Sequence, residues 1–316
     1  MPAIIEQEIQ GIVGTILEDY KQGRSIDKLD LSNQPQKDQI VKLLQKIIKL
    51  IYPGYFRDQG YKVYNMENDY GVQIEDTMFH MNKQISRALR YLAEFQGKDQ
   101  EEIEAESQKI TVAFFKKLPE IRSYVEGDLE AAYDGDPAAY YRAEIILSYP
   151  GLYAITVNRI AHELFRLGVP LIPRIMTEHA HWQTGIDIHP GATIGKNFFI
   201  DHGTGIVIGE TTIIGDNVKI YQGVTLGALS TKGGQKLQGK KRHPTIEDDV
   251  VIYSGASILG GDTVIGKGSV IGGNAFVTKS IDPGIRVSIK NQELIYVNEG
   301  QNTVTKAELE QDDNWR

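Results

Sequence analysis

Acids, imidazoles and one guanidinium collect at three points in the second half of the chain. Asp187 and His189 stand in DIHP, Asp201 and His202 in IDHGTGIVIGE, and Arg242 and His243 in KRHP. Around Asp201 and His202 the residues are Ile, Val and Gly, where an unpaired polar group costs several kcal/mol if it is buried. Such a pair must be satisfied locally or perform a task. A carboxylate accepting from one imidazole nitrogen holds the tautomer and raises the basicity of the other, which makes a general base near neutral pH. Asp187 precedes His202 by 15 residues. That is just short of one coil of the repeat described next, so the two are expected on adjacent layers near one corner, within reach of each other.

The elements that carry these residues follow from two different periods. Up to about residue 180 the pattern is helical. Ile5, Ile9, Ile12 and Ile16 form one apolar stripe, Ile40, Leu44, Ile47 and Ile51 a second, and Met81, Ile85, Ala88 and Leu92 a third. Each stripe is expected to be bundle core. GLYAITVNRIAHELFRLG predicts another helix, stopped by Gly168 and Pro170. From about residue 186 a period of six takes over: Ile188, Ile194 and Ile200, then after a step of eight Ile208, Ile214, Ile220 and Leu226, and beyond an interruption Leu259, Ile265, Ile271 and Val277. Glycine follows many of them directly, and Thr212, Thr263, Ser269 and Ala275 sit at the small positions four after an aliphatic. This hexapeptide repeat predicts a parallel β-helix in which three hexads close a coil of about 18 residues and coils stack roughly 4.8 Å apart.

The expected architecture is therefore α+β, a helical domain over 1–180, a left-handed parallel β-helix over 181–282 and a tail over 283–316. A solenoid has no cavity of its own, so function belongs where the repeat breaks or where subunits meet. It breaks at DHGTG, which carries two extra residues, and at GALSTKGGQKLQGKKRHPTI, which must protrude as a loop.

Composition narrows the chemistry. With no cysteine the chain has neither disulfides nor thiolate ligands nor a thiol nucleophile. A formal charge of -8 argues against a nucleic-acid surface. No apolar run is long enough for a membrane helix, and the start MPAIIEQEIQGIVG lacks the basic flank of a signal peptide, so a cytoplasmic protein is expected. Three histidines, His189, His202 and His243, invite a zinc site of the kind found in γ-type carbonic anhydrases on the same coil. Acids and an arginine beside them suit a zwitterion better, and no metal is expected.

IDIHPGATIG, IDHGTGIVIGE and KRHPTI in this order, with VTLGA before the loop and YSGASILGG after it, resemble the serine O-acetyltransferases over roughly residues 130–280. The resemblance implies transfer of the acetyl group of acetyl-CoA, as co-substrate, to the hydroxyl of L-serine, the activation step of cysteine biosynthesis. His202 is then the base and Asp187 its orienting acid. Asp136, in YDGDPAAYY, and Asp201 hold the serine ammonium, Arg242 its carboxylate, and His243 is a second serine-site histidine. Gly227, Ala228, Ser254 and Gly255 match small positions along the CoA groove between subunits. Lys232, Lys236, Lys240 and Lys241 either meet CoA phosphates or are simply solvated, and Glu210 has only a supporting part. The resemblance further implies a homotrimer or a hexamer paired through the N-terminal helices, and inhibition by cysteine in the serine site. Family members commonly dock into a sulfhydrylase through a terminal Ile, whereas this chain ends QDDNWR, which makes docking to that partner doubtful. The alternative on the same coil is an acetyl-CoA-dependent transferase with a sugar or other hydroxyl acceptor.

Overall fold

The computed structural model describes residues 4–27, 34–56 and 66–290, and two short strands beyond them. Seven α-helices come first among the described residues: α1 (Ile4–Tyr20), α2 (Lys37–Ile51), α3 (Met66–Leu89), α4 (Gln100–Gly135), α5 (Arg142–Ser148), α6 (Pro150–Arg166) and α7 (Ile172–Thr184). The stripe of α2 is core, with Ile40, Leu44, Ile47 and Ile51 buried, and Met81, Ile85 and Ala88 of α3 pack against it. The stripe of α1 is not core: Ile5, Ile9, Ile12 and Ile16 are all exposed, and α1 buries no residue. Its helix forms as the spacing predicts, but the face has no partner among the described residues.

Fourteen short strands then wind into a parallel solenoid of about five coils with three faces. Face A stacks β1 (Asp187–Ile188), β4 (Val207–Ile208), β7 (Thr225–Gly227), β10 (Ser257–Leu259) and β13 (Phe276–Val277). Face B stacks β2 (Thr193–Ile194), β5 (Ile213–Ile214), β8 (Thr245–Ile246) and β11 (Val264–Ile265). Face C stacks β3 (Phe199–Asp201), β6 (Lys219–Tyr221), β9 (Val251–Ile252), β12 (Val270–Ile271) and β14 (Arg286–Val287). The hexad aliphatics fill the interior with one exception: Ile258 rather than Leu259 points inward, aligned with Leu226. Between Ile258 and Ile265 the chain takes seven residues instead of six, the extra one absorbed at Gly260, whose φ is 110°. Counting back by six from Ile265 therefore lands one residue late. The last strand, β14, lies inside the stretch assigned above to the tail. Beyond residue 290 only the strands Tyr296–Asn298 and Gln301–Val304 are described, and the terminal QDDNWR lies outside the described residues.

Two edges show how residue type sets the turns. At the B/C edge Asn197, Asn217 and Asp249 take φ of 56°, 58° and 60°, a region that short polar side chains tolerate by local hydrogen bonding. Their side chains form a ladder, Asn197 Nδ2 donating to Asn217 Oδ1 at 2.8 Å and Asn217 Nδ2 to Asp249 Oδ1 at 2.9 Å. At the C/A edge Gly205, Gly223 and Gly255 lie one above the other, all with positive φ.

Helix α6 closes the lower end of the solenoid. A Cβ on Gly151 would stand 2.6 Å from the Ile200 carbonyl, so only glycine permits the approach. Arg159, on the same helix, is buried; it pairs with Asp128 of α4 at 2.9 Å and donates to the carbonyls of Ile194 and Gly195 at 2.5 and 2.6 Å. Asp128 Oδ1 also accepts from the Phe198 N–H at 2.9 Å. One ion pair thus locks two helices to the first coil, and removing either partner would leave an uncompensated buried charge.

Candidate active site

The site residues fall at two edges of the prism. At the C/A edge the turn Asp201–Gly205 absorbs the two extra residues of the first coil. His202, Gly203 and Gly205 have φ of 59°, 100° and 81°, and a Cβ on Gly203 would stand 2.5 Å from Ile186 Cδ1. This left-handed turn throws the imidazole of His202 outward, with 74% of its side chain exposed.

Two carboxylates flank it. Asp201 Oδ1 lies 3.7 Å from His202 Nε2, and Asp201 Oδ2 lies 3.1 Å from Lys219 Nζ. Asp136 follows the last residue of α4; its Oδ1 accepts from the Ala138 N–H at 2.9 Å and its Oδ2 from the Tyr149 hydroxyl at 2.6 Å. Those two hydrogen bonds, the tyrosine's first, hold the Asp136 carboxyl below its ordinary range, with the nearby charges of Lys219 and His202 adding to them. Accepting that hydroxyl keeps Tyr149 protonated, its pKa pushed up to about 12. The end of α4 rests on face C, since a Cβ on Gly135 would stand 2.7 Å from the Phe199 ring.

Asp187 stands at the same edge but does not bond to His202. The two extra residues lengthen the first coil to twenty, so Asp187 aligns with Val207, and His202 lies in the turn before it. Asp187 instead has a carboxylate oxygen within 4.8 Å of ligand-type atoms of Glu178 and His181 on α7. The carboxylate within 4 Å of the His202 imidazole is that of Asp201.

At the A/B edge a second cluster forms. Arg242 pairs with Glu210, and burial, which most strongly opposes ionisation of that acid, is outweighed by the Arg242 hydrogen bond and charge together with the neighbouring His189 and His243, so its pKa is held below the ordinary value. Thr211 clamps the KRHP segment: its Oγ1 accepts from the Arg242 and His243 N–H groups at 2.9 and 3.1 Å, and its own N–H donates to His243 Nδ1 at 3.0 Å. His243 is therefore the Nε2–H tautomer. Burial, then the neighbouring Arg242 charge, lower its pKa to about 4, so it is a neutral donor at working pH. His189, at the same edge, is also held below its ordinary value, chiefly by burial, and its Nδ1 accepts from the Gly191 N–H at 3.0 Å.

The other expected positions divide the same way. Gly227 ends β7 and Ala228 follows it toward the A/B edge, while Ser254 and Gly255 stand at the C/A edge. Gly227 is small because Leu259 fills its space, a Cβ there falling 2.9 Å from Leu259 Cδ2; at the C/A edge a Cβ on Gly255 would likewise run into Asn274 Oδ1. Lys232, Lys236 and Lys240 are exposed on the loop, but Lys241 is engaged, donating to the carbonyls of Thr211 at 2.8 Å and Pro244 at 3.1 Å. Glu210, Thr211, Tyr149 and Lys219 thus hold the site residues in place. Only the first drew notice in the sequence, because the others act through tertiary contacts that no spacing announces. His202 does not join His189 and His243, which share the other edge.

Comparison with known proteins agrees with this geometry. No family model matches the chain. A plasmid serine acetyltransferase of Synechococcus elongatus is 46% identical over 260 residues, 80% of this chain and 81% of that protein. The serine acetyltransferase of Bacillus pumilus is 47% identical over 168 residues, 53% of this chain and 71% of that one. Among solved structures, serine acetyltransferase 1 of Entamoeba histolytica in complex with L-cysteine superposes with a TM-score of 0.68 at 39% identity, over 78% of this chain and 86% of that one. The Neisseria gonorrhoeae serine acetyltransferase in complex with serine gives 0.51 at 27% identity, over 78% and 95%. With a helical domain, a solenoid of hexads and this similarity over most of its length, the chain belongs to the serine acetyltransferase family.

Proposed function

We propose that this protein transfers the acetyl group of acetyl-CoA to the hydroxyl of L-serine, giving O-acetyl-L-serine and CoA in the route to cysteine. The observation that carries the reading is the exposed imidazole of His202 beside two fixed carboxylates, Asp136 and Asp201. An ammonium held by the two acids sets the adjacent hydroxyl against the base. His202 takes the hydroxyl proton as the oxygen attacks the thioester carbonyl. The tetrahedral adduct collapses with cleavage of the C–S bond, and the imidazolium returns the proton to the leaving sulfur. No enzyme thiol is needed.

Arg242 and His243 complete the acceptor site through the substrate carboxylate, the first by a forked guanidinium and the second by a neutral N–H. They occupy the A/B edge, so the complete site takes the C/A edge of one subunit and the A/B edge of the next. Contact between two different edges is heterologous, and on a three-sided prism it closes as a ring of three. That geometry supports a homotrimer, and the exposed stripe of α1 suits pairing of two trimers into a hexamer. The exposed glycines Gly205 and Gly255 at the C/A edge let the pantetheine arm of acetyl-CoA approach the backbone. Cysteine, with a thiol in place of the hydroxyl, fits the same ammonium and carboxylate contacts as an inhibitor. No helix among the described residues is long and apolar enough to cross a membrane, in keeping with a cytoplasmic enzyme.

The test is release of free CoA thiol from acetyl-CoA by the purified protein. Release that requires L-serine supports the reading. Release with a sugar acceptor but not with serine, or none with either, overturns it.

A further inference from the structure

Lys219 lies one strand above the acids of the C/A edge. Its ammonium donates to the Gly135 carbonyl at 3.0 Å, the last residue of α4, and pairs with Asp201 Oδ2 at 3.1 Å. It also lies 4.5 Å from the centre of the Phe199 ring and 4.7 Å from that of Tyr221. Only 21% of the side chain is exposed. Burial alone would disfavour the charge, but hydrogen bonds to Tyr221 and Asp201 hold the ammonium above its ordinary pKa. The cation is thus caged by two rings, one helix end and one carboxylate.

We propose that Lys219 is a positioning residue for amine recognition, fixing Asp201 and the α4 terminus that carries Asp136 so that the two carboxylates converge beside His202. Asp136 and Asp201 come from different elements, a helix end and a strand end. Lys219 is the side chain bound to both: to Asp201 directly and to Gly135, the residue next to Asp136, through its carbonyl. Because Lys219 takes Asp201 Oδ2, Asp201 Oδ1 is left on the His202 side, free for an incoming ammonium. Helix-terminal carbonyls carry partial negative charge, so the contact with Gly135 also anchors the end of α4 electrostatically. Lys219 touches neither base nor substrate hydroxyl; it acts through the acids.

This rests on the serine reading, and the experiment separates the two. Steady-state constants are measured for K219M, K219Q, K219R and D201N, with far-ultraviolet circular dichroism and thermal midpoints to establish that each is folded. K219M and K219Q should raise the KM for L-serine about tenfold, the scale of one charge-assisted contact, with kcat and the KM for acetyl-CoA within about twofold of the parent. K219R, which keeps charge and donors, should recover most of the loss. An unchanged or lowered serine KM in folded K219M or K219Q, while D201N raises it, overturns the positioning role alone. If D201N also leaves the serine KM unmoved, amine recognition at this edge falls, and the role of Lys219 with it.

Discussion

The ring of His243 occupies the space that a side chain on Gly209 would need: a Cβ built there falls within the imidazole. Glycine at 209, one coil below His243, is therefore a condition for seating the histidine of the KRHP segment. G209A must push the ring away from Thr211, breaking the Nδ1 contact that sets its tautomer. The variant should fold with a loss of about 1–3 kcal/mol, the usual cost of overpacking, and its serine KM should rise more than its acetyl-CoA KM. Thermal denaturation and steady-state kinetics measure both.

His202 sits in a left-handed turn and is largely exposed, so it can be changed with little effect on stability. Asparagine tolerates that backbone region better than alanine. H202N should keep the thermal midpoint within a few degrees while turnover falls roughly 100-fold or more, the contribution of a general base. Turnover near the parent value would assign the proton transfer elsewhere.

Arg242 is held by Glu210 and by backbone carbonyls of its own loop. Lysine keeps the charge but not the forked donor geometry. R242K should raise the serine KM by about tenfold and leave the acetyl-CoA KM nearly unchanged; equal changes in both would contradict a carboxylate contact. E210Q should shift the serine KM in the same direction by a smaller factor, because it loosens the guanidinium without removing it.

The depressed pKa of His243 predicts a pH dependence of stability. Unfolded, the imidazole binds a proton near pH 6.5; folded, it does so only near pH 4. Between these values the unfolded state binds more protons, so stability is full above about 6.5 and declines as the pH falls toward 4. His189, His162 and His179, also lowered by burial, act in the same direction. Thermal midpoints at pH 7 and pH 5 should show the fall. H243N, whose amide oxygen can still accept from Thr211, should fall less steeply than the parent.

The solenoid was legible in the sequence because its determinant is local. Each inward position must be aliphatic and each tight corner needs glycine or a short polar residue, so a period of six appears in the letters themselves. The DHGTG, KRHP and GDP segments were legible as candidate chemistry because acids and imidazoles stand out in such a background. A count of residues failed where the winding is uneven. The seven-residue step between Ile258 and Ile265 displaced one core position, and the lengthened first coil was not visible in the fifteen-residue spacing of Asp187 and His202, nor was the approach of Asp187 to Glu178 and His181 on α7. The α1 stripe shows the same limit from the other side: spacing specified an amphipathic helix, but not whether one chain could cover it.

From the sequence alone came the inward or outward direction of most solenoid residues and the class of chemistry available. Tertiary structure alone decided which outward groups meet. The ties from Arg159 to Asp128, from Tyr149 to Asp136 and from Lys219 to Gly135 join elements whose approach depends on the packing of helices against the first coil. It also placed His202 on one edge of the prism and Arg242 and His243 on another. The physical reason is range: a six-residue period encodes neighbours along the coil, whereas hydrogen bonds of about 3 Å between distant elements depend on angles and distances accumulated over the whole fold.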